Sequence, residues 1–288
     1  MRQSWFIKHS RPSRAQHRLF CFPYAGGNAQ IFRTWADLLP PSVELIAIQA
    51  PGKGSRMLEP PCTSVEQLID QLLTDMQPLL HEKPFSLFGH SNGALVAFEL
   101  SCVLQERRLP GPQHLFLSAS PAPWTRRFER PYSAMDDDEF RGVLQELNGT
   151  PPEVLQNREL LDLVLPGLRA DFSLAEGYAY SRPYKLSVPT SIYYGEHDEI
   201  EEFQIRSWQE QIAPRARFER IPGGHFFIHS HQELLAGLIS KQLMASSRTS
   251  TSGAATEQEH ASEQRSGVHT GWYGARSASY ETSMESVT

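Results

Sequence analysis

Residues 85–100 read FSLFGHSNGALVAFEL, an apolar run, a short glycine-bracketed turn and a second apolar run with no linker between them. Phe85–Gly89 has the length and character of a strand buried on both faces, and Gly93–Arg107 carries the residues of a helix. Between them Ser91 lies in a G-x-S-x-G turn too tight for side chains at the flanking positions, so Gly89 and Gly93 let the helix pass close to the strand. Such a turn presents Ser91 at a helix N-terminus, where the dipole and free N–H groups favour a developing negative charge. The pattern alone is common; in a strand-turn-helix context it points to a nucleophilic serine.

Outward from this stretch, short apolar runs alternate with longer amphipathic ones between Arg18 and His231, as expected of strands joined by crossover helices. The strand candidates are Leu19–Tyr24, Val43–Gln49, Phe85–Gly89, His114–Ala119, Ser191–Tyr194 and Arg217–Ile221, read as buried on both sides of a parallel sheet. Helices are expected over Ile31–Leu39, Ser64–Leu80, Gly93–Arg107, Glu202–Ile212 and Gln232–Met244, with Ser64 and Gln67 spaced as a capping box. The fold class is therefore α/β, a mostly parallel central sheet with helices on both faces. From about 121 to 184 the rhythm breaks: helical patterns occupy Asp136–Leu147, Glu153–Leu165 and Arg169–Tyr180 without a strand. An insertion of that length at the carboxyl edge of the sheet lies over the ligand cleft, and it reads as a lid. Leu144, Leu147, Leu161, Leu165 and Phe172 are candidates for its apolar underside.

The 288 residues carry a net charge of −6, which disfavours a nucleic-acid binder held by phosphate contacts. No run approaches the length of a membrane-spanning helix, and the charged start MRQSWFIKHSRPSR lacks the apolar centre of a signal peptide, so a cytoplasmic location without membrane attachment is expected. Cys21, Cys62 and Cys102 are scattered without a CxxC pair, suggesting reduced structural residues and no metal site. The expected organisation is an N-terminal extension at 1–17, the α/β domain at 18–244 and a Ser/Thr-rich disordered tail at 245–288. Trp272, Tyr273 and Tyr280 are a candidate docking element in that tail.

A serine hydroxyl needs a histidine base and an orienting carboxylate, in the chain order serine, acid, histidine for this turn. Gly195-Glu196-His197-Asp198-Glu199 follows a strand and supplies the acid; Asp198, far enough past the strand to turn back, is favoured over Glu196 and Glu199. Gly223-Gly224-His225 follows the last strand and delivers the base, whereas His197, His229 and His231 are explained as caps or surface residues. The catalytic candidates are thus Ser91, Asp198 and His225. An oxyanion hole needs two backbone N–H donors. Asn92, after the nucleophile, provides one; the loop Phe22–Gly27 provides the other, at Ala25 with Tyr24 as its neighbouring alternative. The glycines there lack G-x-G-x-x-G spacing, so no nucleotide cofactor is indicated.

Taken together, F-P-Y-A-G-G (22–27), A-P-G-K-G-S-R (50–56), G-H-S-N-G-A (89–94), L-P-G-L-R-A-D (165–171), G-E-H-D (195–198) and G-G-H-F (223–226) resemble the type II thioesterases of non-ribosomal peptide and polyketide synthases. The resemblance covers roughly 18–243. It implies the α/β-hydrolase fold, Ser91 as nucleophile, Asp198 as acid, His225 as base and Ala25 with Asn92 as oxyanion donors. It further implies removal of acyl or aminoacyl groups from the phosphopantetheine arm of acyl or peptidyl carrier proteins, with no cofactor of the enzyme's own. Two features depart from the family: Asn92 stands where methionine is usual, and the polar tail after Met244 has no counterpart. Carrier proteins are usually acidic, and Arg126, Arg127 and Arg130 are candidates for a docking patch. A small-molecule carboxylester hydrolase on the same fold is the alternative function, and a catalytically silent binding module a third.

Overall fold

A computed structural model describes residues 4–9, 14–126, 128, 130–147 and 149–245. Seven strands, β1 (Phe6–Lys8), β2 (His17–Phe22), β3 (Val43–Ile48), β4 (Phe85–His90), β5 (Leu115–Ser118), β6 (Thr190–Gly195) and β7 (Arg217–Ile221), form one sheet in the order β1-β3-β2-β4-β5-β6-β7. All neighbours are parallel except β1, which pairs antiparallel with β3. The helices are α1 (Trp35–Leu38), α2 (Val65–Leu80), α3 (Asn92–Glu106), α4 (Asp137–Glu146), α5 (Pro152–Gln156), α6 (Arg158–Glu176), α7 (Glu202–Arg206), α8 (Phe227–Ser230) and α9 (232–245). This is the α/β architecture expected from the alternation of apolar runs.

The period of two along each strand explains why the central strands are apolar throughout. Phe20, Phe22, Ile46, Ile48 and Leu87 face one layer with α2 and α3, while Leu19, Cys21, Leu45, Ala47 and Phe88 face the other with α9. Each fully buried Leu or Phe stabilises the fold by about 1.5–3 kcal/mol. β7 departs from that expectation: as the edge strand it exposes Arg217, Glu219 and Arg220 and buries only Ile221 fully. Lys and Arg on an edge also discourage pairing with another chain. Within the segment read as an N-terminal extension, β1 completes the opposite edge. It is held by Trp5, which is buried with the Arg56 guanidinium 4.4 Å from its ring centroid.

The lid segment differs from its expected helix breaks. The boundary at Pro166-Gly167 does not exist; α6 runs unbroken through both residues, bounded by Asn157 as N-cap and Gly177 as C-cap. Proline forfeits one helical hydrogen bond there, and tertiary packing compensates. Leu161, Leu165 and Leu168 pack with Phe140 and Leu144 of α4 into a separate small core. Of the predicted apolar underside, Leu144, Leu147 and Phe172 line the cleft, whereas Leu161 and Leu165 are spent inside the lid. Where the lid returns to the sheet, Tyr178 and Arg182 both bond the buried Glu99 of α3, at 2.6 Å for the tyrosine.

Cys21, Cys62 and Cys102 are free and buried, and burial pushes the Cys102 thiol up to about 12, so none is a ready nucleophile. The tail from 246 on, with Trp272, Tyr273 and Tyr280, lies outside the described residues. Among those described, no helix is long and apolar enough to cross a membrane.

Two histidines of the sheet, His114 buried and His17 partly buried, make the fold acid-sensitive. His17 bonds Ser86 Oγ and His114 bonds Ser191 Oγ, and burial lowers both imidazoles from 6.5 to about 4. Below pH 6.5 the unfolded chain takes up protons that the folded chain refuses. Stability therefore falls as pH drops from 6.5 to 4, by up to about 3 kcal/mol for His114 and by less for the partly exposed His17. The urea midpoint should decline over that window and decline less in His114→Gln; parallel pH profiles for the two proteins would contradict this.

Candidate active site

Ser91 sits at the carboxyl end of β4 with φ 55° and ψ −115°, a strained conformation for a residue with a side chain. The surroundings hold it there. Its N–H donates to the Ser118 carbonyl at 2.8 Å, its carbonyl accepts the Ala94 N–H at 3.0 Å, and α3 begins at the next residue. Oγ lies 3.0 Å from His225 Nε2, and His225 Nδ1 lies 3.0 and 3.2 Å from the two carboxylate oxygens of Asp198. Residues 91, 198 and 225 thus form one hydrogen-bonded line. The Asp198 side chain is only 4% exposed and the His225 side chain 32%, so the carboxylate is shielded while the imidazole faces the cleft. With a carboxylate on Nδ1, that nitrogen carries the proton and Nε2 accepts from the serine hydroxyl.

The acid and base turns are laced together by backbone. Glu196 N–H donates to the Ile221 carbonyl and His197 N–H to the Gly223 carbonyl. Gly195 is required at this crossing: a Cβ would fall 2.8 Å from the Gly224 carbonyl oxygen. The competing carboxylates are exposed where Asp198 is shielded, Glu196 beside Arg220 and Glu199 at the solvent side of the cleft. The other histidines have their own partners: His229 Nε2 meets the Tyr24 hydroxyl at 2.8 Å and His231 meets Ser230 Oγ.

His90, to which the sequence pattern assigns no role, is fully buried behind the line. Its Nε2 donates to the His225 carbonyl at 2.9 Å and its Nδ1 meets Ser118 Oγ at 2.9 Å. Burial, then the nearby His225, holds its pKa well below 6.5, so it stays neutral and fixes the His225 main chain rather than competing for a proton. A histidine inside a G-x-S-x-G turn was the available signal.

Both expected oxyanion donors border Ser91 in the cleft. Asn92 is the first residue of α3, so its N–H has no acceptor within the helix. Ala25 occupies the second position of a turn closed by Gly27 N–H on the Tyr24 carbonyl at 2.9 Å, and Gly26 takes the positive φ of 79° that this turn requires. The Asn92 side chain, the departure noted in the sequence, donates from Nδ2 to the Asp171 carbonyl of α6 at 2.6 Å.

The cleft encloses about 900 Å³ between the sheet edge and the lid. Phe128, Tyr132, Leu144, Leu147, Phe172 and Phe226 give it apolar walls. The expected arginine patch needs correction. Arg126 lines this cleft and turns a guanidinium nitrogen to Ser120 Oγ; burial lowers it to about 10. Arg130 gives two nitrogens to Glu139 at 2.9 and 2.8 Å, and Arg127 lies outside the described residues. Among the described residues no cluster of His, Cys, Asp and Glu could hold a metal ion.

Residues 17–243 match the Thioesterase domain family. The gramicidin S biosynthesis protein GrsT of Aneurinibacillus migulanus is 36% identical over 83% of this chain and 93% of its own length. Thioesterase PikA5 of Streptomyces venezuelae is 34% identical over 82% of this chain and 84% of its own. Among solved structures, the type II thioesterase BorB from the borrelidin biosynthetic cluster superimposes with a TM-score of 0.76 at 31% identity, covering 83% of this chain and 97% of that one.

Proposed function

The chain belongs to the thioesterase domain family and is a thioester hydrolase; on that premise we propose that it strips acyl or aminoacyl groups from the phosphopantetheine arms of carrier proteins in a non-ribosomal peptide or polyketide pathway. The observation that carries the chemistry is the hydrogen-bonded line Ser91–His225–Asp198 at the floor of a roomy lidded cleft. The carrier partner is supported by the pathway relatives GrsT and PikA5.

His225 Nε2 takes the Ser91 proton as Oγ attacks the thioester carbonyl, and Asp198 stabilises the imidazolium. The oxyanion of the tetrahedral intermediate is received by the Ala25 and Asn92 N–H groups. Collapse expels the phosphopantetheine thiolate, which takes the proton from His225 and leaves an acyl-serine. Water deprotonated by His225 then attacks, and collapse releases the carboxylic acid and restores the serine. The residues supply every proton transfer, so the mechanism uses no cofactor; phosphopantetheine arrives on the partner.

Acyl-loaded carrier protein and a free aromatic ester should be offered in parallel, with carrier loading followed by mass spectrometry. The expected result is a kcat/KM at least about a hundredfold higher on the carrier, as a second protein surface contributes binding energy. Preference for the free ester would instead identify a small-molecule carboxylester hydrolase.

A further inference from the structure

Asp171 ties α6 to three other pieces of chain. Its Oδ2 accepts the Gly26 N–H at 2.6 Å and also contacts the Lys53 ammonium; its main-chain carbonyl accepts Asn92 Nδ2 at 2.6 Å. Both charged side chains are 10% exposed. Neighbouring residues of the same helix pack just as closely. Leu168 Cδ2 lies 2.6 Å from where a Gly26 Cβ would stand, and a Gly167 Cβ would stand 3.0 Å from the Gly52 carbonyl oxygen.

A buried ion pair is a poor choice for stability alone, because desolvation offsets its attraction and apolar residues of similar volume serve as well. Its placement suggests another use. The Gly26 N–H belongs to the central peptide of the Tyr24–Gly27 turn, and a φ of 79° at Gly26 is that of a type II turn. Type I and type II turns differ by rotation of that peptide. The Asp171 carboxylate therefore selects one of the two forms, next to the Ala25 donor. The same residue's carbonyl holds Asn92, whose N–H is the second donor.

We propose that Asp171, with its charge balanced by Lys53, is a positioning residue that makes the oxyanion hole depend on the seating of the lid helix. The inference rests on Ala25 and Asn92 being the donors. It gives the L-P-G-L-R-A-D segment two roles at once, since α6 covers the acyl cleft and sets the donors from one turn. It also gives Asn92 a reason, because a methionine side chain has no N–H for the α6 carbonyl.

Two double variants isolate the acceptor from the charge. Lys53→Met with Asp171→Asn removes both charges and keeps an oxygen for Gly26 N–H; Lys53→Met with Asp171→Leu removes the acceptor as well. The Leu variant should lose roughly ten- to a hundredfold in kcat with KM nearly unchanged, and lose affinity for a trifluoromethyl ketone, which forms a tetrahedral adduct on the serine, by a similar factor. The Asn variant should stay within about threefold of wild type in both. Equal behaviour of the two variants, or a loss confined to KM or to the melting temperature, would overturn the proposal. The ketone reads the hole whatever acyl donor is used, so a failure of carrier specificity leaves this comparison standing.

Discussion

Ser91→Ala should lower kcat on carrier thioesters by about four orders of magnitude or more while the melting temperature moves by only a few degrees. The hydroxyl forms one side-chain hydrogen bond, to His225, so the fold loses little when it goes. The reaction loses its nucleophile. His225→Ala should cost a comparable factor, and the double variant scarcely more than either single one, because residues acting in one proton-transfer line are not additive. Asp198→Asn should also be severely impaired: an amide beside Nδ1 no longer favours the tautomer that leaves Nε2 free to accept from the serine. Burst kinetics with a chromogenic ester measure acyl-enzyme formation directly. Ser91→Ala turning over within tenfold of wild type would remove this residue from the mechanism.

The largest effect on folding is expected from Gly93→Ala, a change of one methyl group. Its Cβ would stand 2.2 Å from the Phe22 carbonyl oxygen and 2.7 Å from that of Pro23. Both are backbone atoms at the end of β2 and the start of the oxyanion loop, so no rotamer relieves the clash. Strand and helix must separate, which costs about 4 kcal/mol or more and leaves the protein insoluble or with displaced donors. Gly89→Ala meets the Gly93 carbonyl at 2.0 Å and should behave alike. Gly142→Ala in α4 and Gly237→Ala in α9 are the controls: nothing lies within 4 Å of either Cβ position. There the lower backbone entropy of the unfolded chain stabilises by up to about 1 kcal/mol. Denaturant midpoints of the four variants test the contrast; a soluble Gly93→Ala of wild-type stability would mean that the elbow is looser than it looks.

Several features were legible because they have local causes. Apolar runs of four to seven residues with glycine or proline beside them mark β2 to β6, and Ser64 caps α2 by accepting the Gln67 N–H, although the expected box closes only halfway because the Gln67 side chain accepts from the Thr63 N–H instead. The chain order of serine, acid and histidine led to Ser91, Asp198 and His225 as candidates. Other features escaped because their causes are remote. Pro166 reads locally as a break, yet the α4–α6 core outweighs one missing hydrogen bond. Phe6–Lys8 is too short to signal a strand and forms one only against β3. Arg126 looks like a surface residue in the sequence, yet it lines the cleft and turns to Ser120 Oγ.

The order of strands and helices, the glycine-bracketed elbow and the residue types able to perform acyl transfer are properties of neighbouring positions, set by periodicity and backbone sterics, and were available from the string of letters. Which carboxylate faces His225, that His90 braces the main chain of the base, and that Asp171 of the lid holds the turn carrying Ala25 are consequences of contacts between separate loops and elements, 27 positions apart in the first case and more than a hundred in the other two. Chain connectivity does not encode those distances; they come from the twist of the sheet and the packing of the helices onto it.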